Sequence, residues 1–238
     1  TVENGVDMVV VGPEDPLVKG VYDNFTDTVV VTLQNGMGNA EEIARIIPAD
    51  RIYVGLCFIC AMRAEPGHVN HLEGGNIQFA PFVPSPEGSE KARELSELFA
   101  NAGIKTRAFD AAEQIQWYKL VWNIPFNGLC LALGGISIAE LYQNPENVAR
   151  ARRIMEEVVR AAKARGYTLP DDLVEFHLSR TESMGSFIPS SAVDYNEGRP
   201  VEYTAIWGDP LSKARQAGAS VPEWELLDKD IRKRLNMD

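Results

Sequence analysis

Two short runs near the start of the chain, residues 7–12 and 28–33, are β-branched and apolar at almost every position. Strands without polar alternation are typical of a parallel sheet that is covered on both faces. The second run leads directly into QNGMG at residues 34–38, and residues 40–47 are predicted to form a helix. Open α/β sheets bind ligands at turns of this kind, although such a turn alone is more often a plain connection.

The same α/β pattern continues to residue 110. We predict a strand at residues 51–61, a hairpin-like pair of strands at 68–82, a helix at 89–102 and a short last strand at 105–109. Beyond Asp110 the strand signals disappear. The chain therefore divides into an α/β part at residues 1–110, with a parallel sheet, and an all-helical part at residues 111–238.

Helical periodicity and helix-start signals dominate the second part. Asn144, Pro145 and Glu146 combine an N-cap, a proline at the first position and an acid in the first turn. Gly185 opens a segment that we predict to be a loop as far as Asp194. The central helix is predicted to end near Gly134-Gly135, and further helices are predicted at residues 144–165, 171–183, 200–217 with breaks at Gly208 and Pro210, and from 222 onward.

We interpret the segment WYKLVWNIPFNGLC, residues 117–130, as the centre of the protein, which the rest of the chain presents. Lys119, Asn123 and Asn127 are spaced by four, so a helix places them on roughly one face. Their neighbours are apolar almost all round, and burial lowers the pKa of a lysine toward neutrality, where it can donate a proton. The alternative is a core helix whose lysine reaches the surface and whose amides cap neighbouring loops. The segment alone leaves both interpretations open.

Composition limits the classes of partner. The net charge of −11, with 45% hydrophobic and 24% charged residues, argues against binding to nucleic acid or to an anionic membrane surface. No apolar run is long enough to span a bilayer. The chain begins with Thr1 and enters a buried strand almost at once, so we expect a protein that lacks its beginning.

Three cysteines, Cys57, Cys60 and Cys130, lie in apolar surroundings. An odd number of such cysteines indicates reduced thiols and a cytoplasmic protein. Cys57 and Cys60 have a redox spacing but lie in a predicted strand, where residues three apart point to opposite faces, so we predict buried free thiols. The histidines at 68 and 71 have no acidic or thiol partner at metal-binding spacing, and we predict no metal site.

Three motifs occur in the chain in the order LQNGMGN after a strand, WYKLVWNIPFN with its lysine and two asparagines, and PSSAVDYNEGRPVEYTAIWG with a serine and a GR-x-x-E element. Together they resemble the ketopantoate reductase (2-dehydropantoate 2-reductase) family, which has a turn, a lysine helix and a late segment of this kind in the same order. The resemblance implies a Rossmann-like NAD(P)-binding domain, here incomplete at its N-terminus, followed by a helical domain, with the active site between them.

The resemblance also implies a reaction and its residues. The reaction is NADPH-dependent reduction of 2-dehydropantoate, a small 2-oxo acid, to pantoate, on the route to pantothenate and coenzyme A. Lys119 would be the general acid and Glu202 would bind substrate and orient the site. The remaining implied residues are Asn123, Asn127 and Ser190 for the substrate and Asn35 and Ala61 for the NADP(H) cofactor.

The chain differs from the family pattern at three points. It contains no GxGxxG turn for the cofactor pyrophosphate, which in the family precedes the position of Thr1. The basic residue that would bind the 2′-phosphate is missing with that turn. Gly12-Pro13 stands where the family often has a lysine. Two further interpretations stay open, a reductase of another 2-oxo or imino acid and a non-catalytic remnant, and a homodimer is compatible with each of them.

Overall fold

The structure is a computed structural model that describes residues 28–237. The predicted strand at residues 7–12 therefore lies outside the described residues. Strands are found at β1 (Val30–Thr32), β2 (Ile52–Glu65), β3 (His68–Pro81) and β4 (Lys105–Ala108). Helices are found at α1 (Asn39–Ile43), α2 (Pro86–Asn101), α3 (Ala112–Ala132), α4 (Ile138–Tyr142), α5 (Pro145–Ala164), α6 (Leu173–Glu182), α7 (Ser190–Asn196), α8 (Asp209–Gln216) and α9 (Pro222–Arg234). A 3₁₀ turn at Ala49–Arg51 and a π-helical turn at Thr204–Gly208 complete the order.

The described strands form one mixed sheet in the order β1-β2-β3-β4. β1 pairs with β2 and β3 with β4 in parallel, whereas β2 and β3 are antiparallel. The predicted parallel sheet is therefore wrong for the pair β2 and β3. The hairpin predicted within residues 68–82 is also wrong, because that segment is a single strand.

Gly74 and Gly75 explain why the sequence suggested two strands within residues 68–82. Both have positive φ, at 84° and 107°, and the pairing with β2 shifts register at this point. A Cβ on Gly74 would lie 2.4 Å from the carbonyl oxygen of Phe58. The two glycines therefore allow an irregularity within one strand, where the sequence suggested a turn between two.

Helix α3 is the centre of the helical part. Its side chains are buried on most sides, and α5 and α9 pack against it. Trp117 of α3 meets Trp224 of α9 edge to face, with ring centroids 6.5 Å apart. Pro125 lies within the helix without ending it. The indole Nε1 of Trp207 donates to the carbonyl oxygen of Ile124 at 3.0 Å, which fixes the π-helical turn against this part of α3.

Two local predictions in the helical part are wrong. The loop predicted at residues 185–194 ends early, because α7 begins at Ser190. The helix predicted with breaks at Gly208 and Pro210 continues through both of them. Pro210 has no N–H for the i−4 carbonyl, and the preceding backbone forms a π-helical turn, which precedes α8 without interrupting the helix.

The architecture as a whole confirms the predicted fold class, an α/β part followed by a helical part. The predicted N-cap of α5 is also confirmed, since the Asn144 side chain accepts a hydrogen bond from the backbone N–H of Glu146 at 3.0 Å. Among the residues that the structure describes, no helix combines the length and the apolarity that crossing a bilayer requires.

Candidate active site

A cavity of about 700 Å³ lies between the sheet and the helices. One wall consists of the end of β1, the turn that follows it and the middle of β2. The other walls come from α3, α6, α7 and the connections that flank α7. The cavity contains most of the site residues expected from the sequence: Asn35, Ala61, Lys119, Asn123, Asn127 and Ser190.

Lys119 joins the helical part to the sheet. Its Nζ donates to Oδ1 of Asn35 at 2.7 Å and to the carbonyl oxygen of Cys57 at 2.6 Å. The ammonium also lies 5.4 Å from the ring centroid of Phe58, within the range of a cation–π contact. Two hydrogen bonds and one ring therefore hold the lysine amine at the cavity wall.

The pKa of Lys119 is lowered from 10.5 to about 8. Burial is the main cause, since it disfavours the charged form, and the negative charge of Glu202 opposes it by favouring the ammonium. A group with a pKa near 8 is mostly protonated at neutral pH and releases its proton more readily than an exposed lysine. Lys119 therefore has the electrostatics of a proton donor.

Glu202 reaches the lysine through Asn35. The Asn35 amide donates from Nδ2 to Oε2 of Glu202 at 3.4 Å, while Oδ1 of the same amide accepts from Lys119. Glu202 itself is exposed and lies two residues before the π-helical turn, 167 residues after Asn35 in the sequence. The tertiary structure thus brings the three groups that the motifs contribute into one polar chain.

The QNGMG turn carries Asn35 and is docked on the π-helical turn. The backbone N–H of Met37 donates to the carbonyl oxygen of Ala205 at 2.8 Å. Gly36 has φ of 79°, and a Cβ at this position would lie 2.2 Å from the same oxygen. Glycine is therefore required both for the left-handed backbone and for the close approach.

Asn123 and Asn127 follow Lys119 along the cavity wall. Both amides are buried, at 5% and 2% exposure, and they lie 3.5 Å apart from Nδ2 of Asn127 to Oδ1 of Asn123. The Asn127 oxygen accepts from the backbone N–H of Ser191 at 3.0 Å and from Oγ of Ser190 at 3.4 Å. The start of α7 therefore orients Asn127, and its amide group is already partly engaged.

The sheet side of the cavity is apolar. Leu33 and Ile59 line it and are 40% and 51% exposed, and Ala61 is exposed beside them. Unlike the buried thiols predicted from the sequence, Cys57 and Cys60 are only partly buried, and both line the cavity. β2 runs along the cavity wall and has a register irregularity after Phe58, so consecutive residues can contact the space. The prediction that the cysteines are unlinked is confirmed.

Helix α6 forms a wall that the sequence did not point to. His177, Arg180 and Thr181 line the cavity, with His177 8% exposed and its pKa lowered to about 4 by burial and by the positive charge of Arg180. Oγ1 of Thr181 accepts from the indole Nε1 of Trp122 at 2.8 Å, which connects α6 to α3. No sequence pattern within residues 171–183 predicts that these α6 side chains share a cavity with Lys119, because only the folded chain brings them together.

The described part of the chain contains no group of three or more His, Cys, Asp or Glu side chains that could hold a metal ion. The fold and the cavity define a two-part protein in which a lysine-bearing helix faces β2 and the turn after β1 of an α/β part. Two family models match the sequence: "Ketopantoate reductase PanE/ApbA" at residues 16–84 and "Ketopantoate reductase PanE/ApbA C terminal" at residues 111–233. The chain belongs to the ketopantoate reductase family.

Individual relatives agree with this assignment. A 2-dehydropantoate 2-reductase of Nostoc sp. is 35% identical over 89% of this chain, and the match spans 65% of the relative's own length. The crystal structure of 2-dehydropantoate 2-reductase from Geobacter metallireducens is 37% identical with a TM-score of 0.80, covering 86% of this chain and 68% of that chain. A D-mandelate dehydrogenase solved with NADH and anilino(oxo)acetate shares the fold, with a TM-score of 0.78 at 22% identity and coverage of 95% and 75%.

Proposed function

We propose that the protein reduces 2-dehydropantoate to pantoate with NADPH, on the route to pantothenate and coenzyme A. The observation that carries the proposal is the Lys119 ammonium, which is bonded to Asn35 at one end of a cavity lined by Asn123 and Asn127. Membership of the ketopantoate reductase family supports the same reaction.

Residues of the cavity fit the nicotinamide end of such a cofactor. The exposed side chains of Leu33 and Ile59 offer an apolar surface for a flat ring, and the Asn35 amide lies next to them. We propose that these three residues and Ala61 hold the nicotinamide. When bound, the reduced cofactor supplies the hydride for the keto carbon.

Lys119 acts as the general acid. Negative charge develops on the keto oxygen during reduction, and an ammonium at that position stabilises the charge and donates the proton. Asn35 and the Cys57 carbonyl orient the amine, and Glu202 favours its protonated form. Glu202 does not line the cavity, and in this proposal it contributes to substrate binding beside the Asn35 amide.

Asn123, Asn127 and Ser190 hydrogen-bond the substrate in this proposal. The amides lie one and two helical turns beyond Lys119 on the same wall, and Ser190 faces them from α7. Buried amides offer donors and acceptors at fixed positions, which suits a small polar acid. The division into a cofactor part at residues 1–110 and a helical part at 111–238, and a homodimer, stay predictions.

Another 2-oxo acid is the second candidate substrate. The cavity wall opposite the sheet includes Trp122, Phe187 and Ile188, which favour a bulky apolar side chain on the substrate. The solved D-mandelate dehydrogenase that shares the fold was bound to anilino(oxo)acetate and NADH. The preference for NADPH over NADH is likewise part of the proposal.

The test is a turnover assay with a panel of 2-oxo acids, each supplied with NADPH and with NADH. We expect 2-dehydropantoate with NADPH to give the highest kcat/KM. Lys119→Met should abolish most turnover, whereas Lys163→Met, an exposed lysine on α5, serves as the matched control and should not. A higher kcat/KM for an aromatic 2-oxo acid would favour the second candidate, and a Lys119→Met variant as active as wild type would contradict the mechanism.

A further inference from the structure

Gln116 is a buried polar side chain on α3 for which the proposed chemistry has no use. It lies three residues before Lys119 and is 8% exposed. Its Nε2 donates to the carbonyl oxygen of Gly36 at 3.0 Å, across 80 positions of sequence. A buried amide without a partner is costly, so a hydrogen bond over this separation fixes two parts of the chain relative to each other.

The acceptor of this hydrogen bond is next to Asn35. Gly36 directly follows Asn35 in the QNGMG turn, and the turn has two further anchors. The N–H of Met37 is bonded to Ala205, and Nδ2 of Asn39 donates to the Asn35 carbonyl oxygen at 2.8 Å. Besides the Lys119–Asn35 hydrogen bond itself, the Gln116 hydrogen bond is the described side-chain contact that joins this turn to the helix carrying Lys119.

Helix α3 therefore contacts the turn at two points, one helical turn apart. Lys119 donates to the side chain of Asn35, and Gln116 donates to the backbone of the residue that follows it. Side chains three apart on a helix lie on the same face, so both contacts point to the same place. Together they fix the distance and the angle between the Lys119 amine and the Asn35 amide.

We propose that Gln116 is a positioning residue, whose buried amide holds Asn35 in hydrogen-bonding contact with Lys119. Gln116 acts on the proton donor through the turn. Its effect on turnover rests on the proposed function, whereas its effect on the Lys119–Asn35 contact does not. A purely structural role would lower the free energy of unfolding and leave that contact unchanged.

The first test measures the contact itself. Gln116→Met preserves length and volume but removes the donor. Without the hydrogen bond to Oδ1 of Asn35, the ammonium form of Lys119 is less stable. The Lys119 pKa should therefore fall below its wild-type value by about 0.5–1 pH unit. An NMR titration of the labelled lysine Cε, assigned by its disappearance in Lys119→Met, reads out this value without any substrate.

Ser96→Ala is the matched control. Ser96 is buried at 9% exposure and donates from Oγ to Thr106 Oγ1 at 2.8 Å, between α2 and β4 and outside the cavity. The control should lower the free energy of unfolding and leave the Lys119 pKa unchanged. If Gln116→Met does not fold, Gln116→Leu tests the same point, because its uncharged side chain fills the site without donating and adds no charge near Lys119.

The second test is a double-mutant cycle with Asn35→Ala, measured as steady-state turnover. A displacement of about 1 Å at a reacting group can cost about 100-fold in rate, so Gln116→Met should lower kcat about 10–100-fold with a smaller change in KM. In the Asn35→Ala background the same substitution should have little further effect, because its target is gone.

The outcomes separate the two proposals. If the Lys119 pKa falls in Gln116→Met but the wild type turns over no 2-oxo acid, the positioning role is supported and the proposed function is contradicted. An unchanged Lys119 pKa in both Gln116 variants overturns the positioning role, whatever the turnover. Additive effects of the Gln116 and Asn35 substitutions on kcat would also overturn it.

Discussion

Lys119→Met separates catalysis from stability at the centre of the candidate site. The pKa of Lys119 falls from 10.5 to about 8 on folding, and at about 1.36 kcal/mol per pH unit this corresponds to roughly 3 kcal/mol of stability lost at neutral pH. Methionine removes that penalty but leaves the oxygens of Asn35 and Cys57 without their donor, at about 1–3 kcal/mol each. We therefore expect a free energy of unfolding within about 2 kcal/mol of wild type at pH 7.

The pH dependence gives the sharper result. The folded protein loses the Lys119 proton near pH 8, whereas the unfolded chain keeps it until about 10.5. Between these values the unfolded state binds more protons, so the stability of the wild type rises with pH relative to Lys119→Met. From pH 7 to pH 9.5 the relative gain should be about 2 kcal/mol. Urea denaturation of both proteins at the two pH values measures it.

The pH dependence of wild-type turnover should run opposite to that of its stability, because catalysis needs the protonated lysine. General acid catalysis typically contributes about 10²–10⁴ in rate, so Lys119→Met should lower kcat by at least about 100-fold. In the wild type, kcat should fall as the pH rises through about 8, because the ammonium is lost there. A wild-type stability that runs parallel to that of the variant from pH 7 to 9.5 would refute the lowered pKa, and with it the argument for a buried proton donor.

Three further substitutions or treatments test the surroundings of the site. Gly36→Ala should lower both the free energy of unfolding and turnover, since its Cβ would lie 2.2 Å from the Ala205 oxygen at a φ of 79°; a variant with wild-type urea midpoint and kcat would show that the turn is not docked there. Gly128→Ala should cost about 1–3 kcal/mol by overpacking, because its Cβ would lie 2.9 Å from the Trp207 indole nitrogen; calorimetry that finds an unchanged Tm would contradict this. Alkylation of Cys57 should be slower than that of a free thiol at pH 8, because burial raises its pKa; peptide mass spectrometry that finds an equal rate would argue against that environment.

The sequence by itself determined the elements with strong local signals. The N-cap and proline at Asn144 and Pro145 define the start of α5, because capping is decided by residues within one turn. The spacing of Lys119, Asn123 and Asn127 placed three polar groups on one wall, because helical periodicity is a local property. The three motifs together also pointed to the family that the sequence comparisons established.

Strand pairing was decided by tertiary structure. Whether β2 and β3 run parallel or antiparallel depends on which strand edges meet. The glycines at 74 and 75 suggest a turn between two strands as readily as the register shift that is found within one strand. The π-helical turn has the same origin. Its geometry accommodates Pro210 while Trp207 packs on α3, and no residue pattern within 204–208 specifies it.

The connections of the site also exist only in the folded protein. Asn35 lies between Lys119 and Glu202, which are 84 and 167 positions away along the chain. The sequence offered each of these residues as a candidate, but the order of the hydrogen bonds follows from the docking of the QNGMG turn. The roles of Gln116 and of helix α6 in the site had no signal at all, because a buried amide or a cavity wall is defined by what packs against it.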